Sequence, residues 1–179
     1  MSDVLLLTGP SGSGKTTVAR LVATDAARPT VHVTTDEFFR AIRTGFIPPY
    51  LPESQRQNVV VVDAIVAAVA VFADGGYDVV VDGIIGPWFL PPYRTAAAEG
   101  QWRMSYVVLR PDLATTLERG QARAGVELTD TDALTGLHAA FADLGELERH
   151  ALDTTRLDAE ETAAKVREAV ASGSYLLSV

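Results

Sequence analysis

The chain has 179 residues, 47% of them hydrophobic, no cysteine and a formal net charge of −8. That length and apolar content suit one compact domain with a sizeable core. The excess of acid argues against a general nucleic-acid or anionic-membrane surface, since both need basic patches, and the lack of cysteine excludes disulfides and thiolate metal sites.

The N-terminal Met1-Ser2-Asp3 has no basic n-region, so no signal peptide is expected and the protein reads as cytosolic. Val4 to Thr8 is a short apolar run of the kind that forms a buried strand, and a helix follows over about Lys15 to Ala26. A second strand is expected over Thr30 to Thr34 and a short helix over Glu37 to Arg43. The next stretch holds Pro48, Pro49 and Pro52 and reads as a loop without regular structure. A longer helix from Ser54 to Asp74 stops at Gly75-Gly76. Its apolar run from Val59 to Phe72 contains Asp63 and is too short to cross a bilayer. Asp78 to Asp82 reads as the third strand, Pro91 to Glu99 as a helix ended by Gly100, and Met104 to Leu109 as the fourth strand. Helical segments are expected over Asp112 to Ala124 and Asp130 to Leu144, a fifth strand over His150 to Asp153, and a closing helix over Ala159 to Ala171. Alternation of strand and helix implies an α/β fold, a parallel sheet with helices on both faces. Residues 1–179 form a single domain in this reading, with a mobile lid around 112–130.

The most specific signal is Gly9-Pro10-Ser11-Gly12-Ser13-Gly14-Lys15-Thr16-Thr17, which spells G-x-x-x-x-G-K-T between a strand and a helix. Glycines let successive backbone N–H groups turn inward as an anion nest, and the helix that follows adds the positive end of its dipole. Such a loop holds a nucleoside triphosphate, taken as ATP. Lys15, one of only two lysines in the chain, would reach the β- and γ-phosphates, and the Thr16 hydroxyl would serve Mg²⁺. Thr17 either touches the α-phosphate or only continues the helix.

Two aspartates lie where ligands gather, beyond the carboxyl ends of parallel strands. Asp82 closes the apolar strand Val79-Val80-Val81. It reads as a carboxylate that orients Mg²⁺, against the plainer reading of Asp82-Gly83 as a turn. Asp36 follows the second strand. One reading is helix capping within Thr34-Thr35-Asp36-Glu37. The other is general base. If the third strand lies between the first two, strand spacing of about 4.8 Å puts Asp36 about 10 Å from the phosphate loop, room for a small acceptor whose hydroxyl gives up its proton.

Arg119 and Arg123, four apart on one helical face, are candidates to bind the transferring phosphoryl group, with a solvated helix face as the alternative. Arg110 reads as structural. Arg40 and Arg43, near Asp36, either grip an acceptor or coat the short helix. Nine of the 13 aromatic residues fall between Phe38 and Tyr93, among them Tyr50 and Trp88, which suggests an acceptor with an apolar or aromatic body. His32, His138 and His150 lack metal-ligand spacing and read as structural.

Taken together, the phosphate loop, Asp36 after the second strand, the Asp82-bearing third strand and Arg119 to Arg123 after the fourth resemble the small P-loop kinases. These include shikimate kinase, gluconate kinase and chloramphenicol phosphotransferase. Val33-Thr34-Thr35-Asp36 and Val79-Val80-Val81-Asp82 are most similar to chloramphenicol phosphotransferase-like proteins. The resemblance implies a three-layer fold on a five-stranded parallel sheet in the order 2-3-1-4-5, an arginine-bearing lid, and Asp36 as the base. It also implies that the loop after the fifth strand, Thr154-Thr155-Arg156, lines the adenine. Asp82-Gly83-Ile84-Ile85-Gly86 departs from the glycine-run acceptor loop of shikimate kinase, which argues against shikimate. The expected activity is ATP- and Mg²⁺-dependent phosphorylation of a hydroxyl on a small molecule. The alternatives are a nucleotide or nucleotide-sugar kinase, and a nucleotide-dependent switch.

Overall fold

The computed structural model describes residues 1–121 and 131–178. Strands β1 (Asp3–Thr8), β2 (Thr30–Thr34), β3 (Asp78–Asp82), β4 (Arg103–Leu109) and β5 (Ala151–Leu152) form one parallel sheet in the order β2-β3-β1-β4-β5. This is the order implied by the resemblance, and it puts β3 between β1 and β2.

The strands are buried on both faces, and their side chains divide with period two. Val4 and Leu6 of β1, Val79 and Val81 of β3, and Met104, Tyr106 and Val108 of β4 point to one face. There they meet α3 (Gln55–Asp74) through Val61, Val62, Ile65 and Val69, and α4 (Leu90–Gly100) through Leu90, Tyr93 and Ala97. Leu5, Leu7, Val80, Val107 and Leu109 point the other way, against Val18 and Val22 of α1 (Lys15–Thr24) and Ala163 and Val166 of α7 (Ala159–Ser172). By length and composition Pro52–Asp74 could cross a membrane, yet its Val61, Ile65 and Val69 face packs on the sheet.

Several boundaries differ from expectation, each for a local reason. α2 (Thr35–Arg40) begins one residue before Asp36, so Asp36 stands in its first turn rather than ahead of the helix. The proline-rich segment is not wholly irregular: Pro52–Ser54 forms a 3-10 turn, with Pro52 where a missing N–H does no harm. α4 runs through Gly100 and closes on Gln101, whose φ is 55°. α5 (Leu113–Gln121) and α6 (Thr131–Ala140) flank residues 122–130. The expected lid around 112–130 and helix end at Ala124 therefore lie partly outside the described residues. A 3-10 helix over Gly145–His150 takes His150 out of β5. α7 starts at Ala159 because Asp158 and Glu161 form a reciprocal capping box.

With only two residues, β5 covers only the Val108–Leu109 end of β4. The C-terminal segment covers more of that edge. Tyr106 N donates to Tyr175 O at 2.9 Å, Leu177 N donates to Met104 O at 2.9 Å, and Ser105 bridges Leu176 antiparallel.

The segment after β3 is pinned from both sides at Ile85. Its N–H donates to Thr8 Oγ1 at 2.8 Å, and its carbonyl accepts from the buried Tyr106 hydroxyl at 2.8 Å. Burial pushes the Tyr106 phenol pKa up, so the hydroxyl stays a donor. Tyr106→Phe should lower stability by about 1–2 kcal/mol by leaving that carbonyl without its donor. Urea unfolding should show a lower midpoint at unchanged m-value.

Candidate nucleotide and acceptor site

The phosphate loop leaves the end of β1 and turns back over it. Gly9 has φ 144° and Gly12 has φ 93°, conformations that L side chains rarely adopt. The chain also passes too close to its neighbours for a side chain. A Cβ at Gly9 would lie 2.2 Å from the Leu109 carbonyl oxygen, and one at Gly12 would lie 2.3 Å from that of Thr116. Pro10 O accepts from Ser13 N at 3.1 Å and closes the turn. Gly14 caps α1 without a side-chain bond, and the first turn of α1 holds no acid, so the helix presents its N–H groups and dipole end to the loop's concavity. Ser13 Oγ is buried and has no hydrogen-bond partner among the described residues. Lys15 is buried, with Nζ donating to Pro10 O at 3.4 Å. Thr17 is exposed in the first turn of α1.

Thr16 and Asp82 meet directly. Thr16 Oγ1 donates to Asp82 Oδ2 at 2.6 Å. Register explains it: Asp82 pairs with Leu7 of β1 and with Thr34 of β2, so its side chain rises beside the root of the phosphate loop. The other oxygen, Oδ1, accepts from His32 Nε2 at 2.7 Å. An ionised carboxylate can only accept, so His32 holds its proton on Nε2. Burial, at 1% exposure, pushes the Asp82 pKa up; the hydrogen bonds from His32 and Thr16 outweigh it, and the net shift is downward.

Asp36 lines the same cleft as Lys15 and Thr16. The capping box does not form at this helix. Thr34 makes no side-chain cap bond, and Glu37 instead pairs with Arg40 at 2.6 Å. The cleft has a volume of about 830 Å³. Ser11, Lys15 and Thr16 lie at its phosphate end, and Phe39, Ile84, Trp88, Phe89 and Tyr93 line its walls. Arg40, Arg43 and Tyr50 border it too, so the structure brings all five acceptor-site candidates into one cavity. Trp88 is 50% exposed, with its ring 6.0 Å from that of Phe141.

Elsewhere the candidates stand apart from this cavity. Arg119 Nη2 donates to Leu157 O at 3.1 Å and Thr154 O at 3.5 Å, which ties α5 to the loop after β5. Thr155 belongs to the same junction: its hydroxyl accepts from Asp112 N at 2.9 Å and donates to Asp153 Oδ1 at 2.6 Å. Arg123 lies outside the described residues. Arg110 pairs with Glu148 and donates to Phe141 O at 3.2 Å, a brace between β4 and the segment after α6. His138 reaches Pro111 O, and buried His150 donates from Nδ1 to Tyr106 O at 2.9 Å. His32 is the residue that sequence reading undervalued. The signal lay in register: His32 and Thr34 share a strand face, and Thr34 stands opposite Asp82.

Residues 4–144 match the AAA domain family AAA_33, a P-loop kinase domain. The chain belongs to this family. No curated protein matches it. Among solved structures, the tunicamycin resistance protein of Deinococcus radiodurans is similar over 100% of both chains, with a TM-score of 0.69 at 17% identity. The Mycobacterium tuberculosis APS kinase CysC, in complex with AMPPNP and APS, covers 96% of this chain and 98% of its own, also at 0.69 and 17%. A gluconokinase from Sinorhizobium meliloti covers 95% and 92%, with a TM-score of 0.66 at 20% identity. At these identities the likeness establishes the fold that the AAA_33 chain shares with kinases.

Two outcomes follow from this geometry. Gly12→Ala should cost about 1–3 kcal/mol of stability through backbone strain and the clash with Thr116, and it should abolish the calorimetric heat of nucleotide binding. The depressed Asp82 pKa contributes stability that is present above the ordinary carboxylate value of 3.8 and is lost as pH falls through the lower, folded value. Asp82→Asn should therefore flatten the acid limb of the stability profile, read from urea midpoints between about pH 5 and pH 2.

Proposed function

We propose that the protein is an ATP-dependent, Mg²⁺-requiring cytosolic kinase that phosphorylates a hydroxyl group on a small molecule with an apolar or aromatic body. The observation that supports this reading is that Asp36 and Lys15 line one cleft together with several aromatic side chains.

The loop fits a triphosphate. Its glycine backbone leaves no space for side chains at Gly9 and Gly12, and the buried Ser13 hydroxyl has no hydrogen-bond partner among the described residues. The backbone of Gly9, Pro10, Ser11, Gly12, Ser13 and Gly14 would cradle the phosphates, Lys15 would offset charge on the γ-phosphoryl, and Thr17 would border the α-phosphate. Thr16 and Asp82 supply hard oxygen donors suited to Mg²⁺, which when bound neutralises charge on the phosphate oxygens. Among the described residues no three His, Asp or Glu side chains gather as a cage.

In the reaction the acceptor hydroxyl oxygen attacks the γ-phosphorus in line, and the bond from that phosphorus to the β,γ-bridging oxygen breaks. ADP leaves, and the hydroxyl proton passes to the Asp36 carboxylate. His32 positions Asp82, and through it Thr16. Tyr50 and Trp88 would flank the acceptor, with Arg40 and Arg43 beside its outer end. Thr155 would stand near the adenine. For Arg119 to reach the phosphates it must release the Thr154 and Leu157 carbonyls. Arg123 would join it at the transferring group.

The two arginines along the cleft favour a second reading, an anionic acceptor such as a nucleoside monophosphate or nucleotide sugar. Acceptor profiling separates them: transfer to nucleotides and none to uncharged alcohols would select the second. Asp36→Asn should lower phosphoryl transfer about a hundredfold or more while ATP binding by calorimetry is unchanged. A nucleotide-dependent switch would instead keep its full basal hydrolysis in that variant. Chelation of divalent metal should abolish turnover in the wild type.

A further inference from the structure

Among the described residues the outward face of α3 has no covering element. Val61, Val62, Ile65 and Val69 pack inward, yet only 33% of the most apolar stretch of Pro52–Asp74 is buried. Val60 is 61% exposed and Val71 73%, with the exposed Ala64 and Ala67 between them. At 3.6 residues per turn these four form one stripe along the helix, spaced four, three and four residues apart. That spacing is the seam of a two-helix coiled coil, in which each apolar side chain is buried only by a facing helix.

The order of residues in the stripe indicates its partner. It reads the same from either end, valine-alanine-alanine-valine at mirrored spacing. An antiparallel second copy therefore sets Val60 against Val71 of that copy and Ala64 against Ala67, as an isologous interface requires. The charges are complementary in the same arrangement. Arg56 and Asp74 are exposed at opposite ends of α3, on one flank of the stripe. A two-fold axis perpendicular to the helices sets like flank against like flank and end against end, so each Arg56 comes within about one residue of level with Asp74 of the other copy. Trp102 Nε1 donates to Asp74 Oδ1 at 2.8 Å and steadies that carboxylate. A membrane surface suits this face less well, because the chain carries a net charge of −8 and the flank sets Asp63 and Asp74 against a single arginine.

The paired face is small. A helix of this length is about 30 Å long and 10–12 Å across, so pairing buries roughly 400 Å² on each copy, about half of what a standard stable interface buries. The two Asp63 carboxylates also fall on the same flank near the axis, where they repel. We propose that the protein self-associates through antiparallel pairing of α3, as a weak two-fold dimer with Val60 of each copy on Val71 of the other. Val62 and Ile65, which line the cleft, lie on the opposite side of α3, so seam and cleft wall stand back to back.

The absence of cysteine makes the register directly testable. In this pairing position 60 of one copy faces position 71 of the other, whereas two copies of either position stand about 16 Å apart along the helices, beyond disulfide reach. Val60→Cys and Val71→Cys chains mixed at about 100 µM and oxidised should give about tenfold more disulfide dimer than either variant alone. Sedimentation velocity of the wild type should show monomer at about 1 µM and a growing dimer fraction toward about 500 µM. Val71→Glu should remove the dimer, and Asp63→Asn should tighten it about threefold. If Val71→Glu fails to fold, the cross-linking ratio decides. Monomer at every concentration, a dimer that Val71→Glu leaves intact or Asp63→Asn weakens, or cross-linking no greater in the mixture than in the single variants overturns the proposal. Flotation of monomeric protein with phosphatidylcholine vesicles would overturn it in favour of a membrane-facing helix.

Discussion

The Asp82 carboxylate is the point on which the site depends. It is buried where β1, β2 and β3 run side by side, and each of its oxygens is engaged by a residue from a different neighbour, Thr16 after β1 and His32 on β2. A charge so placed is tolerated only when it is hydrogen-bonded on both sides. The consequence is mutual: the phosphate loop cannot shift without disturbing the sheet, and the sheet cannot change register without disarming the loop. Parallel pairing supplies this rigidity, because a slip of one residue would send Asp82 to the opposite face.

The two ends of the cleft are built on opposite physical terms. At the phosphate end the polar atoms are backbone amides, a lysine, a threonine and a carboxylate, placed by strand ends and the start of α1. The other end is largely apolar and draws on the segment between α2 and α3, with Trp88 and Phe89 after β3. That segment is anchored by side-chain amides rather than by regular structure, Gln57 to Ile47 and Asn58 to Pro49. Such a division lets one scaffold keep its phosphate chemistry while the acceptor wall changes.

Much of this was legible in the residues. The phosphate loop declares itself because glycine, lysine and threonine at fixed spacing have few other uses, and β3 was readable to the residue because Val79-Val80-Val81 is bounded by acids. Asp36 could be placed after β2 with two readings, because a helix start and proton transfer ask for the same residue type; it stands in the first turn of α2 and also lines the cleft, so both remain compatible with its place. His32 was opaque, since a histidine on a strand means nothing until the register is known. Gln57 and Asn58 could be read either as polar contacts or as a solvated first turn; their bonds to Ile47 and Pro49 depend on a chain segment that has no periodicity to read. The 3-10 turns at Pro52 and Gly145 and the two-residue β5 lie below the length at which pattern carries information.

The Tyr175–Leu177 stretch has a bearing on solubility. Without it the first half of β4 would present bare N–H and C=O groups beside a hydrophobic strand, a template that any extended chain could join. Removal of those few residues by proteolysis would leave the cleft residues in place yet expose a nucleus for intermolecular β-pairing, so aggregation would precede any change at the phosphate loop.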